Sequence, residues 1–588
     1  MTRIAVVKKD KCNSAKCNWL CFNLCPINRT GKDCITKQDD KKPRIDEKLC
    51  TGCGICPNRC PYEAISIINL PEKLKQEPII RFNYNTFELF SLPVPKHNKV
   101  IGILGRNGIG KSTALSLLSG LIKPNFGDFK SPPKDEEIIH KFSNSELGLY
   151  LKGLYDGKIK CSYKPQRIEL LPQFYKGKVK DLVKKVDEKN LSELLLNQLE
   201  LNHLLNRDIS ELSGGELQRL AILACLARNA HFYFIDEPAS FLDVTQRIKV
   251  AKLIKELTKD SSVIVVEHDL ATLDYISDEI QIVYGVPAVY GIFSQSKSTR
   301  RGINEYLDGY LPDDNIRFRD YKIKFSDAAI SKDVQKEVDY EYPALDKEFK
   351  DFVLKVSPGK LHKGEVLAVM GANGLGKTTF IKMLAGLEKP SSSNKLEPIK
   401  VAYKPQYLHA VDGTVEEFLR KVAGSEYESG WYKQNILEKL GIHYILRNEI
   451  KNLSGGELQK VYVAATLSTD ARIFALDEPS AFVDVEDRLK VAEVIKEFTI
   501  KKEVATIVVD HDVQFIDYLA DSMLVFEGNP GKEGFVLSPL NKREGMNKVL
   551  KLLDITYRRD KENNRPRINK PGSQLDEQQR EKGEYYYS

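Results

Sequence analysis

Long apolar runs are missing from this chain. Across its 588 residues no eighteen consecutive positions are apolar, which excludes a membrane-spanning helix. The first residues offer no charged segment followed by an apolar one, so no secretory signal is expected and the protein is read as cytoplasmic. A strong overall field is missing too: the formal net charge is +7 with 29% of residues charged, so any contact with nucleic acid has to come from local basic clusters. Beyond residue 60 cysteine is nearly absent, leaving Cys161 and Cys225 as two isolated positions read as small core residues. The length itself suits three or four domains of ordinary size.

The other nine cysteines fall between Cys12 and Cys60. Without an export signal a disulfide framework is disfavoured, and cysteines clustered in a large intracellular protein point to metal. Cys50-x2-Cys53-x2-Cys56-x3-Cys60-Pro61 is the run of two-cluster bacterial ferredoxins, in which the fourth cysteine ligates the other cluster. A looser partner, Cys12-x4-Cys17-x3-Cys21-x3-Cys25-Pro26, precedes it. The crossing rule then assigns Cys12, Cys17, Cys21 and Cys60 to one [4Fe–4S] cluster and Cys25, Cys50, Cys53 and Cys56 to a second, with Cys34 left over. A zinc site is the competing reading, although structural zinc usually comes from Cys-x2–4-Cys knuckles without the trailing Cys-Pro.

The remainder of the chain is a duplication. Gln166 and Gln406, Ser213 and Ser454, Asp236 and Asp477, and His268 and His511 are offset by 240, 241, 241 and 243 residues. Lys111 and Lys377 stand 266 apart, so the first repeat holds about 25 extra residues before Gln166. The stretch at about 131–160 opens with prolines and has two short amphipathic runs around a polar centre, which reads as an inserted helix–loop–helix. The expected organisation is a cysteine domain at 1–76, a first α/β unit at 77–290, a hinge or linker at 291–344, a second α/β unit at 345–540, and a C-terminal hinge and tail at 541–588. The linker and tail are polar and basic, with Arg300, Arg301, Arg317 and Arg319 in one and Arg558, Arg559, Arg565 and Arg567 in the other. These are candidates for contact with RNA phosphates or for a solvated basic face, and the end of the tail reads as frayed.

In each repeat an apolar strand runs into a glycine-rich loop and a helix. The loops are Gly105-Arg-Asn107-Gly108-Ile-Gly110-Lys111-Ser112-Thr113 and Gly371-Ala-Asn373-Gly374-Leu-Gly376-Lys377-Thr378-Thr379. Glycines let backbone N–H groups wrap phosphates at a helix N-terminus, the lysine reaches the outer phosphates, and the hydroxyl of Ser112 or Thr378 ligates Mg²⁺. Further on, buried strands end in Asp236-Glu237 and Asp477-Glu478. The aspartate suits Mg²⁺ and the glutamate suits activation of an attacking water. His268 and His511 follow later strands and are read as γ-phosphate contacts. Ser213-Gly214-Gly215-Glu216 and Ser454-Gly455-Gly456-Glu457 are anion-binding turns at helix starts, although taken alone they are simple N-caps.

Together with Gln166, Gln406 and the segments Ser240-Phe-Leu-Asp243 and Ala481-Phe-Val-Asp484, these motifs resemble those of ATP-binding cassette proteins. The resemblance implies two cassettes facing head to tail, with each ATP between the phosphate loop of one and the Ser-Gly-Gly-Glu turn of the other. One site then joins Lys111, Ser112, Gln166, Asp236, Glu237 and His268 to Ser454–Glu457, and the other joins Lys377, Thr378, Gln406, Asp477, Glu478 and His511 to Ser213–Glu216, with both glutamines as further Mg²⁺ ligands. No essential position is degenerate, so both are expected to hydrolyse ATP. With the ferredoxin-like cysteines, the insert, Gly302-Ile-Asn-Glu-Tyr-Leu-Asp-Gly-Tyr-Leu-Pro312 and Arg565-Pro-Arg-Ile-Asn-Lys570, essentially the whole chain resembles the RNase L inhibitor family, cassette subfamily E. That resemblance implies a monomeric ribosome-recycling ATPase with ATP, Mg²⁺ and two [4Fe–4S] clusters. Its implied partners are the small ribosomal subunit and its RNA, a class-I release factor or Pelota-like factor, and initiation factors. Two other readings are an electron-transfer enzyme gated by ATP and the ATPase subunit of a transporter, the latter opposed by the missing membrane domain.

Overall fold

The computed structural model describes residues 3–69, 77–257, 261–323, 325, 337–391, 396 and 399–586. The expected boundary at residue 76 and positions 324 and 326–336 of the expected linker lie outside the described residues. The chain forms two compact units. One comprises residues 1–238, 253–267 and 276–322; the other comprises 239–252, 268–275 and 323–588.

The first unit begins with the cysteine lobe. Strands β1 (Arg3–Val7) and β2 (Ile65–Asn69) pair antiparallel, and two five-residue helices, Leu20–Leu24 and Ile55–Arg59, carry the buried Cys21 and Cys56. Of the twelve buried residues in this small core, six are cysteines, so the lobe has little apolar packing of its own.

The cassette of this unit is built on β3 (Val100–Leu104), β4 (Cys161–Lys164), β5 (Phe232–Asp236), β6 (Ser262–Val266) and β7 (Glu279–Val286). These run parallel in the order β7-β3-β6-β5-β4. β3, β5 and β6 are buried along their whole lengths, which is why they read as continuous apolar runs and not as alternating ones. Helix α1 (Lys111–Leu118) follows β3.

Where the insert was expected, α2 (Asp135–Lys141) and α3 (Glu146–Tyr155) form two short helices, with the Ser145 side chain capping α3 by accepting from Gly148 N–H. Their Ile138, Leu147, Tyr150 and Leu151 belong to the cassette core, and the Tyr150 hydroxyl donates to Leu118 O at 2.5 Å. Leu149 faces outward, 70% exposed. Leu151→Ala is therefore expected to cost about 2–5 kcal/mol of stability, while Leu149→Ala stays within about 0.5 kcal/mol. Urea titrations of the two variants check this, and equal losses would contradict the placement of the insert in the core. Helix α4 (Gly214–Leu226) completes the elements needed for the site.

The second unit repeats the plan. β8 (Glu365–Met370), β9 (Val401–Lys404), β10 (Ile473–Asp477), β11 (Ala505–Val509) and β12 (Ser522–Asn529) run parallel in the order β12-β8-β11-β10-β9, with α5 (Lys377–Leu384) after β8 and α6 (Gly455–Leu467) ahead of β10.

The stretch 291–344, read as a hinge or linker, contains the helix Thr299–Asp308 with Ile303, Tyr306 and Leu307 buried, an i, i+3, i+4 apolar face that packs on β7. One expectation needs correction. The tail, read as frayed, is ordered through its last described residue, Tyr586. Helix Gln574–Lys582 is capped by Ser573, its buried Asp576 accepts from the Thr556 hydroxyl at 2.6 Å, Gln579 donates to Tyr557 O at 3.0 Å, and Tyr586 is buried. Four of the eight basic residues are drawn inward, whereas Arg300, Arg301 and Arg317 are exposed. Arg565 is fully buried and pairs with Asp274 at 3.3 Å, and Arg567 pairs with the same carboxylate at 2.8 Å. Arg559 reaches Asp517 at 3.1 Å. In the linker Arg319 is buried and donates to Tyr306 O and Leu307 O, both at 2.6 Å. Arg319, Arg559, Arg565 and Arg567 are thus ion-paired or hydrogen-bonded within the protein, and neither a phosphate-binding stripe nor a solvated face describes those four.

Candidate functional site

Parallel strands bring their carboxyl ends to one edge, where ligands of open α/β sheets bind. In the first unit that edge carries the phosphate loop after β3, Gln166 after β4 and Asp236 at the end of β5. Gly110, at φ +92°, caps α1 in the left-handed region, so the loop's amides lie at a helix N-terminus that favours anions. Lys111 is buried and donates to Gly105 O and Arg106 O, both at 2.8 Å. Lys377 makes the matching bonds to Gly371 O and Ala372 O at 2.8 Å; burial pushes its ammonium down to about 8, against the pull of Asp243, Glu478 and Asp477.

The aspartates fit a cation. Asp236 is fully buried, and neither carboxylate oxygen meets a hydrogen-bond donor among the described residues. Burial and the neighbouring Glu237 push its carboxyl up to about 6, while Ser112, Lys164 and Lys111 act in the opposite sense. In the second unit the Thr378 hydroxyl donates to Asp477 Oδ2 at 2.7 Å, which places both expected Mg²⁺ ligands together. A bound divalent cation satisfies such a carboxylate and neutralises charge on phosphate oxygens.

The glutamates are held alike. Glu237 and Glu478 both take φ +49°, an uncommon conformation for a residue with a side chain. Gln166 Nε2 donates to Glu237 Oε1 at 2.6 Å and Gln406 Nε2 to Glu478 Oε1 at 2.7 Å. His511 Nε2 stands 3.4 Å from Glu478 Oε1. Burial works to raise the Glu478 carboxyl, but His511, Lys377 and Arg247 outweigh it and hold the group below the usual glutamate range. His268, buried like His511, belongs to the second unit, where its carbonyl accepts from Arg488 at 3.4 Å.

Ser213 and Ser454 each form a full capping box. Their N–H groups donate to Glu216 and Glu457 at 2.8 and 2.9 Å, and their hydroxyls accept from the N–H groups of those glutamates. The N-cap reading is thus realised in both turns, and it leaves the amides of Gly214, Gly215, Gly455 and Gly456 at a helix start. Asp243 also acts within the second unit: its Oδ2 accepts from the Asn373 N–H of the phosphate loop at 2.8 Å.

Two aromatic residues escaped the sequence reading. A Cβ built on Gly110 would lie 2.6 Å from Phe87 Cζ, and one on Gly376 would lie 3.2 Å from Phe352 Cε1. Each ring therefore sits against the last glycine of a phosphate loop. The only signal is an aromatic residue 24 or 25 positions before the loop lysine, visible once the repeats are aligned on their lysines.

The cysteines lie close to one another in the lobe, and Cys56 neighbours Cys21 as well as Cys25, Cys50 and Cys53. Cys12, Cys17 and Cys60 lie near enough that their charges act on one another, and Cys21 joins that set. Cys25, Cys50, Cys53 and Cys56 line one cavity together with Cys34. Burial pushes the Cys21 thiol up to about 11 and Cys56 up to about 12, a cost that binding of iron as thiolate reverses.

A family model described as "ABC transporter" matches residues 91–240 and 354–481, "Possible Fer4-like domain in RNase L inhibitor, RLI" matches 2–33, and "4Fe-4S binding domain" matches 43–66. Among curated relatives, translation initiation factor RLI1 of Saccharomyces cerevisiae is 42% identical over all of this chain and 98% of its own length. An uncharacterized ABC transporter ATP-binding protein of Methanocaldococcus jannaschii is 48% identical over 100% of this chain and 97% of its own. Among solved structures, a model of ribosome-bound archaeal Pelota and ABCE1 matches with TM-score 0.93 and 49% identity, covering 100% of this chain and 99% of that one. A complex of archaeal ribosomal stalk protein aP1 with archaeal ribosome recycling factor aABCE1 matches with TM-score 0.83 and 50% identity over 87% of this chain and 99% of that one. No helix among the described residues is long and apolar enough to cross a membrane. With iron–sulfur and cassette motifs in this order and full-length identity at this level, the chain belongs to the E family of ATP-binding cassette proteins, that of the RNase L inhibitor.

Proposed function

We propose that this protein is a ribosome-recycling ATPase, in which Mg·ATP drives closure of the twin cassettes and separation of the ribosomal subunits, and hydrolysis frees the factor from the small subunit. The observation that carries this reading is the presence of two complete sets of hydrolytic side chains in one chain behind a cysteine lobe, in a family whose relatives are described as ribosome-bound or as recycling factors. Lys111 and Lys377 bind the outer phosphates of ATP. Ser112 with Asp236 and Thr378 with Asp477 hold Mg²⁺, helped by Gln166 and Gln406. Glu237 and Glu478 take the proton of the attacking water, and His268 and His511 contact the γ-phosphate. Phe87 and Phe352 stack on the adenine. Cys12, Cys17, Cys21 and Cys60, and Cys25, Cys50, Cys53 and Cys56, hold two [4Fe–4S] clusters. Partners are the small subunit with its RNA and a class-I release factor or Pelota-like factor, approached by a monomer in the cytoplasm.

The test is sedimentation of post-termination ribosomes through a sucrose gradient with a non-hydrolysable ATP analogue. The factor is expected to split them and travel with the small subunit. Intact ribosomes and a factor left at the top of the gradient would remove this reading.

A further inference from the structure

Behind each hydrolytic glutamate lies a buried lysine that the phosphate chemistry does not use. Lys164 ends β4 and Lys404 ends β9, and both are fully buried. Neither has a carboxylate oxygen as hydrogen-bond partner. Lys164 Nζ donates to Asp236 O at 2.7 Å and Glu237 O at 3.2 Å; Lys404 Nζ donates to Asp477 O at 2.7 Å, Glu478 O at 3.4 Å and Pro405 O at 3.2 Å. Two residues after each lysine comes the glutamine whose amide holds the glutamate's carboxylate.

The backbone explains why an ammonium is suited to the position. With φ at +49°, Glu237 and Glu478 sit in a left-handed conformation that a side-chain-bearing residue holds only when its surroundings fix it. The chain turns there so that successive carbonyls converge, and a group with several donors and no acceptor is what can hold them together. Gln218 assists by donating to Glu237 O at 2.7 Å and Pro238 O at 2.9 Å, and Gln459 donates to Glu478 O. Burying an ammonium is expensive even with Asp236, Glu237 and Glu267 near Lys164 and Asp477, Glu478 and Asp510 near Lys404, so its presence at the same place in both repeats points to a role that a neutral side chain does not fill.

We propose that Lys164 and Lys404 are positioning residues for hydrolysis: each clamps the backbone of the aspartate–glutamate pair in its left-handed turn, so that the glutamate's carboxylate faces the glutamine and the attacking water. The ammonium also places a full positive charge beneath the Mg²⁺-binding aspartate. This rests on the ATPase reading above.

The variants are K164M with K404M, which keep the length of the side chain and lose every donor, and K164Q with K404Q, which keep a neutral donor. In the methionine pair kcat for ATP is expected to fall at least tenfold while ATP affinity changes less than threefold. Its melting temperature is expected to fall only slightly, the removed buried charge offsetting the carbonyls left without this donor. The glutamine pair should fall between it and the wild type. A merely structural lysine gives the opposite pattern, with stability and ATP affinity lost together, and that pattern or an unchanged kcat overturns the proposal. A crystal structure of the methionine pair provides a readout independent of turnover: Glu237 and Glu478 should leave positive φ and lose the contact to Gln166 and Gln406. An unchanged backbone there overturns the positioning role, whereas a wild-type protein without ATPase activity removes only the reading on which it rests.

Discussion

Replacing Glu237 and Glu478 together by glutamine is expected to lower ATP turnover at least a hundredfold while ATP binding stays within a few-fold of the wild type. Glutamine keeps the volume and hydrogen-bonding reach of the side chain but accepts no proton, and positioned general bases contribute on the order of 10²–10⁴ in rate. The groups proposed to bind nucleotide are different ones: the phosphate-loop amides, Lys111, Lys377 and the buried Asp236 and Asp477 are untouched. Glu478 is also prepared for the role, since His511 at 3.4 Å helps hold its carboxyl below the usual glutamate range and so ionised near neutrality. With hydrolysis blocked after ATP has bound, the variant should remain on the small subunit in a gradient. Binding of a fluorescent ATP analogue and phosphate release, measured on the same preparation, separate the two effects. Rapid release by the double variant would take these glutamates out of the mechanism.

The phosphate loops, both acidic pairs and the cysteine runs were legible because their chemistry is local. A loop that wraps phosphate needs its glycines and lysine within eight positions, and a ferredoxin run needs its thiols within eleven, so spacing alone carries the signal. What sequence did not show is set by distant partners. Arg565 and Arg567 looked like solvated basic residues because the carboxylate that holds them, Asp274, lies 291 and 293 positions away. The relation has its own internal symmetry: Asp517, which holds Arg559, follows Asp274 by the same 243 residues that separate His511 from His268. The tail read as frayed because Asp576 and Gln579 are polar, yet both are buried and hydrogen-bonded. Phe87 and Phe352 went unnoticed because a single aromatic residue has no spacing rule until its glycine is seen beside it.

Loss of one cluster ligand is expected to unfold more of the cysteine lobe than its position suggests, and to stop subunit separation without stopping ATP hydrolysis. Half of the twelve buried residues of that core are cysteines, so too little apolar surface remains to hold the lobe by packing alone, and metal ligation becomes its folding energy. The proposed ligand sets cross: Cys25 lies in the first run but lines the cavity of Cys50, Cys53 and Cys56, and Cys60 lies in the second run but is near enough to Cys12 and Cys21 to act on their charges. On that proposal each cluster would staple the two runs together. Cys25→Ser should deplete the cluster of its own cavity and loosen the segment that carries Cys21, only four residues earlier. Cys34 shares that cavity, so Cys25→Ser with Cys34→Ser is the control that removes a substitute thiol. The hydrolytic residues all lie beyond position 100, on sheets with their own cores, so ATPase activity should stay within about twofold of the wild type. Iron content, phosphate release and subunit separation, measured on one anaerobic preparation, give the answer. Separation that disappears only when intact clusters are chemically reduced or oxidised would favour electron transfer. Separation by an iron-free protein would instead show that the lobe needs no clusters to act.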